Sequence, residues 1–359
     1  MSISLGGKVL ELPILQGGMG IGVSLGSLAG AVAACGGMGT ISTAMAGFNE
    51  PDYAEDPEGA NLRALTREIR RAKEIAGGRG LVAINAMVAT TQYADSIRTA
   101  IAAGADAVVS GAGLPLDLPA IAAAAKADTL LAPIVSSGRA AATICRLWEK
   151  RYHVLPGFVV VEGGEAGGHL GFAKEDLLAG SVAPLETLVA EVAAALEPFE
   201  ERAGRRIPVF AAGGVWDGAD AARLAACGAA GIQIATRLIA TYECDACQEL
   251  KDILIAAKKE DIQLVQSPVG MPGRALRTPL IRRLEAGEPA PSAGCTGCLI
   301  PCPRAKAPYC ISEALVAAVR GDVENGLFFC GSNAWRLEGM HRVADVLESI
   351  MAEWNDAAC

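Results

Sequence analysis

The chain has 359 residues, of which 52% are hydrophobic and 20% charged, enough apolar material for a large core and too much for a disordered chain. Lys and Arg total 31 against 40 Asp and Glu, and the net charge of −9 argues against nucleic acid or an anionic membrane as the main partner. Aromatic residues make up only 4% and Gly reaches 42, a composition that suits tight turns and close helix packing more than a β-sandwich.

Eight short apolar runs, Pro13–Gln16, Gly39–Thr43, Leu81–Asn85, Ala107–Ser110, Leu131–Ser136, Phe158–Glu162, Pro208–Ala212 and Gly231–Ala235, read as strands buried on both faces. Helical patterns follow them in turn: Leu25–Cys35, Asn61–Ala76, Tyr93–Ala103, Leu118–Ala127, Arg139–Arg151, Pro184–Leu196, Gly218–Cys227 and Ala246–Ala257. Eight βα units in series predict a (β/α)8 TIM barrel over residues 1–257, with a doubly wound open sheet as the alternative. The rest, 258–359, is rich in Pro, Arg and Cys before returning to helix at Ser312–Arg320 and His341–Trp354. It reads as a cysteine-rich C-terminal extension packed on the barrel. The uncharged stretch Leu12–Asn49 is too interrupted by glycine to span a bilayer, and the N-terminus lacks the pattern of a signal peptide. The expected location is the cytoplasm, and a homo-oligomer is compatible with the composition.

Chemistry in such a barrel sits where strands end. Those positions here are Gln16, Gly17, Gly18 and Met19, then Asn85, Ser110, Ser136, Glu162, Gly213, Gly214, Ala235 and Thr236. This rim of small and amide-bearing residues suits a flat, polar-edged cofactor lying against backbone. Gly213-Gly214 and the run Gln233-Ile234-Ala235-Thr236 end the seventh and eighth strands, where loops of this fold frequently bind phosphate. The alternative is that these glycines only turn the chain.

Glu162-Gly-Gly-Glu-Ala-Gly167-Gly168-His169 carries one of only three histidines. A flexible glycine loop that sets an imidazole over the barrel mouth is suited to acid–base work, because imidazole titrates near neutrality. The plain alternative is a surface histidine. His153 and His341 lie away from the expected catalytic face and take no role.

Four segments, Leu12–Gly20, Glu165–Gly171, Ile207–Gly214 and Gly228–Arg237, together resemble the nitronate monooxygenase (2-nitropropane dioxygenase) family, and FMN-dependent enoyl-ACP reductases share much of the pattern. The resemblance covers about residues 5–255 and implies FMN. It implies that Asn85 and Gly167 contact the flavin, and that Gly214 with Gln233–Thr236 holds the phosphate. His169 matches the family's active-site histidine. Where many nitronate monooxygenases carry Gln at the end of the sixth strand this chain has Glu162, as the enoyl reductases favour. Oxidation of an alkyl nitronate with O2 is the leading expectation. The alternatives are reduction of a 2-enoyl thioester with NAD(P)H and a flavin/iron–sulfur electron-transfer subunit.

Cys295-x-x-Cys298-x-x-x-Cys302, with Cys310 beyond, has spacing that can hold a [4Fe–4S] cluster or zinc, or can be plain thiols or a redox disulfide. Cys244-x-x-Cys247 is a weaker metal signal. The basic turn Gly270–Arg277 either contacts an anionic ligand or packs its arginines.

Overall fold

The computed structural model describes every residue except 1, 125–127, 269, 291, 293, 301, 304–305 and 358–359. Eight parallel strands close into a barrel in chain order: β1 (Ile14–Gln16), β2 (Met38–Ser42), β3 (Leu81–Met87), β4 (Ala107–Gly111), β5 (Leu130–Val135), β6 (Val159–Glu162), β7 (Val209–Ala212) and β8 (Gly231–Ile234). β8 pairs back onto β1, with Ile232 opposite Ile14 and Ile234 opposite Gln16. The fold is the (β/α)8 barrel that the apolar runs predict.

Alternation along the strands builds two layers. Leu15, Met38, Ala83, Val109, Ala132, Val160 and Phe210 point inward and fill the barrel, with Phe158 edge-on to Phe210. Residues of the other parity, such as Ile41, Val82, Val108 and Ile232, face the helices. An antiparallel N-terminal hairpin, Ile3–Leu5 with Lys8–Leu10, adds Leu5 and Leu10 to the inner layer, both fully buried. The interior is therefore packed, and room for a ligand is left at the ends of the strands.

The helices are α1 (Gly26–Ala34), α2 (Pro57–Ala76), α3 (Tyr93–Ala102), α4 (Leu118–Ala123), α5 (Gly138–Tyr152), α6 (Leu185–Ala203) and α7 (Gly218–Ala226). Their ends carry local signals. Asp56 accepts from the Gly59 amide ahead of Pro57, and Gly77 closes α2 in the left-handed conformation. The end of the helix predicted at Leu118–Ala127 lies partly outside the described residues.

The eighth helix departs from the sequence reading. Predicted at Ala246–Ala257, a helix does form at Gln248–Ile255. The element packed against both α7 and α1, however, is the C-terminal helix α8 (Val343–Ala357). Val346, Leu347, Ile350 and Trp354 are buried in the outer core, and the Gly218 amide donates to Glu353 Oε2 at 2.9 Å. Local periodicity identifies both helices, but only packing decides which one completes the ring. What lies between β8 and α8 folds over the mouth with a small core of its own, built from Val265, Ala275, Leu280, Ile281, Tyr309 and Leu327. Among the described residues, no helix is long and apolar enough to cross a membrane.

Candidate active site

A cavity of about 470 Å³ opens at the ends of the barrel strands. The size falls within the roughly 300–1,000 Å³ typical of small-molecule sites. Gly17, Gly18, Met19, Asn85, Glu162, Gly167, Gly168, His169, Gly213, Gly214, Gln233, Ile234, Ala235 and Thr236 all line it. Ser110 does not. It is fully buried with its hydroxyl 2.7 Å from Tyr93 Oη, so its polar group serves the packing of α3 on β4.

Close approach explains several glycines on this wall. A Cβ on Gly18 would lie 2.3 Å from Cβ of Asn85, and one on Gly167 would lie 2.4 Å from the Cys330 carbonyl carbon. Gly213 and Gly214 hold φ of +93° and +95°, a region that other residues enter only with strain. Their amides, the short helix Thr236–Ile239 after β8 and the side chains of Asn85 and Gln233 give the cavity one rim rich in hydrogen-bonding groups. That donor set, on glycine backbone that packs too closely against its neighbours to carry side chains, fits a flat phosphate-bearing cofactor such as FMN.

The histidine loop is not the flexible loop its glycines suggest. Gly168 and His169 form a short strand that pairs antiparallel with Pro272–Leu276, itself the second arm of the hairpin Ile262–Gln266/Pro272–Leu276. Arg274 on that arm reaches back and donates to the carbonyls of Gly164 at 2.8 Å and Ala166 at 2.6 Å. Thus the basic turn contributes a packing arginine. The Ser332 amide donates to Glu165 O at 3.1 Å, its hydroxyl meets Glu165 Oε2 at 3.1 Å, and Asn333 donates to Gly214 O at 2.8 Å. The extension fastens the loop from both sides.

His169 sits on the cavity wall with Nε2 2.9 Å from Ser267 Oγ and its ring edge-on to Phe329 at 5.4 Å. Burial lowers its pKa from 6.5 to about 4, so the ring is neutral at pH 7. Glu162 faces the same cavity, and burial raises its carboxyl from 4.5 to about 7. The site therefore holds a neutral imidazole and a carboxyl poised near neutrality, an arrangement able to accept or return a proton.

Ser267, Phe329 and Cys330–Asn333 were invisible as site residues in the sequence, and Arg274 stood out only as part of a basic turn. They come from a segment with no strong periodicity, and only the pairing of its hairpin with Gly168–His169 brings them to the mouth.

The cysteine reading gains no support from the described residues. Among the described residues, no group of three or more Cys, His, Asp or Glu is arranged to hold a metal ion. Cys295 is exposed, Cys298 lies with its sulfur 3.0 Å from Ser312 Oγ, and Cys310 caps the helix Ile311–Val319. Cys244-x-x-Cys247 is also structural. Asp245 between the two accepts from the amides of Leu25, Ser27 and Leu28 and caps α1, while Cys244 Sγ contacts Val23 O at 3.4 Å.

A family model, that of nitronate monooxygenase, matches residues 4–353. The chain belongs to the nitronate monooxygenase family. The match runs through the extension and into α8, so the segment over the mouth is part of the family's architecture. The family is one of FMN-dependent oxidoreductase enzymes acting on small molecules. The structure of FabK from Thermotoga maritima is similar over 97% of this chain and 94% of its own, with 26% identity and a TM-score of 0.69. Nitroalkane oxidase from Streptomyces ansochromogenes shares the fold at 22% identity, a TM-score of 0.69 and 97% of each chain. Among curated proteins, the (3aS,4S,5R,7aS)-5-hydroxy-7a-methyl-1-oxo-octahydro-1H-indene-4-carboxyl-CoA dehydrogenase of Mycobacterium tuberculosis is 34% identical over 37% of this chain and 33% of its own length. A probable nitronate monooxygenase of Staphylococcus saprophyticus is 29% identical over 35% of this chain and 33% of its own. The matched segment thus spans about a third of these curated relatives.

Proposed function

We propose that this protein is an FMN-dependent oxidoreductase of the cytoplasm that oxidises alkyl nitronates with O2. The observation that carries the reading is a neutral, firmly held His169 on the wall of a cavity whose other rim is glycine backbone and amide side chains. Bound FMN would supply the redox chemistry: it takes reducing equivalents from the substrate and passes them to O2.

The chain's own residues do the rest. Gly213, Gly214 and the run Gln233–Thr236 hold the phosphate with backbone amides and the Thr236 hydroxyl. Asn85, Gly17, Gly18, Met19, Gly167 and Gly168 line the flavin. With Nε2 held by Ser267, Nδ1 is the ring nitrogen left to steady the nitronate oxygens; the nitronate has already lost its acidic proton, so none is taken from carbon. Phe329 and the Cys330–Asn333 segment shield that nitrogen from bulk water.

A second reading is favoured by one residue. Glu162 stands where many nitronate monooxygenases carry Gln, and a carboxyl there suits an NAD(P)H-dependent reductase of 2-enoyl thioesters. The likeness to FabK at 26% identity supports the same alternative.

One assay separates the two. FMN-loaded protein is given propyl nitronate in air with O2 uptake recorded, and crotonyl thioester with NADH or NADPH under argon with nicotinamide oxidation recorded. O2 uptake dependent on nitronate supports the first reading. Nicotinamide oxidation dependent on the thioester, with no nitronate turnover, replaces it with the second.

A further inference from the structure

Beside the main cavity lies a second space of about 70 Å³, and Ile21, Met87, Met271, Leu315 and His169 border both. The volume is room for about five water-sized groups. Its far wall is the cysteine-rich segment, where Cys298 and Leu299 meet the loop after β3. The Ile300 amide donates to Ala89 O at 2.9 Å, and the Thr91 amide donates to Cys298 O at 3.1 Å. The wall is therefore fastened to the barrel by backbone hydrogen bonds.

Several polar side chains around this space are already engaged within the protein. The Asn61 amide donates to Gln92 Oε1 at 2.8 Å and accepts from the Gly47 amide at 3.0 Å. The Thr43 hydroxyl donates to Asn85 O at 3.1 Å, and the Thr90 hydroxyl to Met87 O at 2.8 Å. Cys298 and Ser312 face each other. A polar ligand group entering here would give up water and find these groups engaged. An apolar group would gain from burial against Ile21, Met45, Ile311 and Leu315.

We propose that this space receives the substrate's tail, a short unbranched aliphatic chain that runs past His169 from the reacting carbon. The cysteine-rich segment sets its length limit. The inference rests on the reading of the main cavity as the flavin site and adds the shape of the substrate to it.

Unreactive probes test it without relying on turnover. Linear primary carboxamides from acetamide to decanamide are titrated into FMN-loaded protein and followed by flavin absorbance. The dissociation constant should fall about fourfold per methylene, then stop falling once the space is full. Ala89→Leu should bring that limit to a shorter chain and Leu299→Ala move it to a longer one. Neither residue lines the main cavity, so acetamide binding should stay within about twofold. An affinity indifferent to chain length, or a limit that neither variant moves while FMN stays bound, would overturn the tail pocket alone. Failure of the protein to bind FMN would overturn the reading of the main cavity, and this inference with it.

Discussion

The barrel rim and the segment that arches over it do different physical work. The rim offers backbone. Its glycines bring amides to the cavity surface and leave room for a flat ligand, and strands packed on both faces hold those amides rigid. The arch offers side chains and restraint. Its hairpin takes up Gly168–His169 as a third strand, Arg274 ties down the preceding turn, and Ser267 fixes one imidazole nitrogen. On the proposed reading, cofactor binding and substrate handling fall to separately built halves of one cavity, and variants should separate them.

The largest effect is expected on the arch side. His169→Ala should lower kcat by about 100- to 10,000-fold, with FMN affinity by equilibrium dialysis unchanged, because the rim is left intact. A variant with both properties unaltered would remove His169 from the chemistry.

Gly214→Val is the reciprocal break. At φ +95°, with a Cβ 2.6 Å from Glu165 Oε2, the new side chain must strain the rim. FMN should bind about 10- to 100-fold more weakly, while turnover at saturating FMN changes less.

Arg274→Ala tests whether restraint matters apart from the imidazole. It removes two charge-assisted hydrogen bonds to the Gly164 and Ala166 carbonyls. Unfolding free energy should drop by about 2–3 kcal/mol, and kcat should fall with His169 still present. Denaturant melts paired with steady-state kinetics give both numbers. A loss of stability with kcat intact would show that the loop needs no fastening.

The smallest effect is a pH dependence with two opposing parts. Glu162 has its pKa raised from 4.5 to about 7, so the unfolded chain loses this proton before the folded one does. Its contribution to stability declines as pH rises from 4.5 to 7. His169 is lowered from 6.5 to about 4, so the unfolded chain takes up the proton first, and stability grows as pH rises from 4 to 6.5. Glu162→Gln should therefore be more stable than the parent at pH 8 by about 1–3 kcal/mol, and the gap should close toward pH 4.5. Melting curves of both proteins across that range check the sign.

The barrel was legible because each strand is a run such as Phe158–Glu162 or Pro208–Ala212, apolar at most inner and outer positions, spaced by amphipathic helices. Most of the rim followed, since strand ends are fixed once strands are. Ser110 ends a strand but does not line the cavity, and its position in the sequence says nothing of the Tyr93 hydroxyl beside it. The cysteines show the same limit of sequence: spacing makes a cluster conceivable, but thiols meet only if the backbone curls round a point, and among the described residues Cys295 is exposed, Cys298 meets Ser312 and Cys310 stands at the start of a helix.

The sequence by itself determined the eight strands, the first seven helices, the glycine-rich rim and the histidine beside it, since these depend on local periodicity and on residue types with special backbone freedom. Tertiary structure alone decided that the C-terminal helix closes the ring between α7 and α1, and that a hairpin about a hundred residues away pins His169. Those outcomes depend on which apolar face finds which partner and on strand pairing between distant segments, and no local pattern in either segment encodes the other's position.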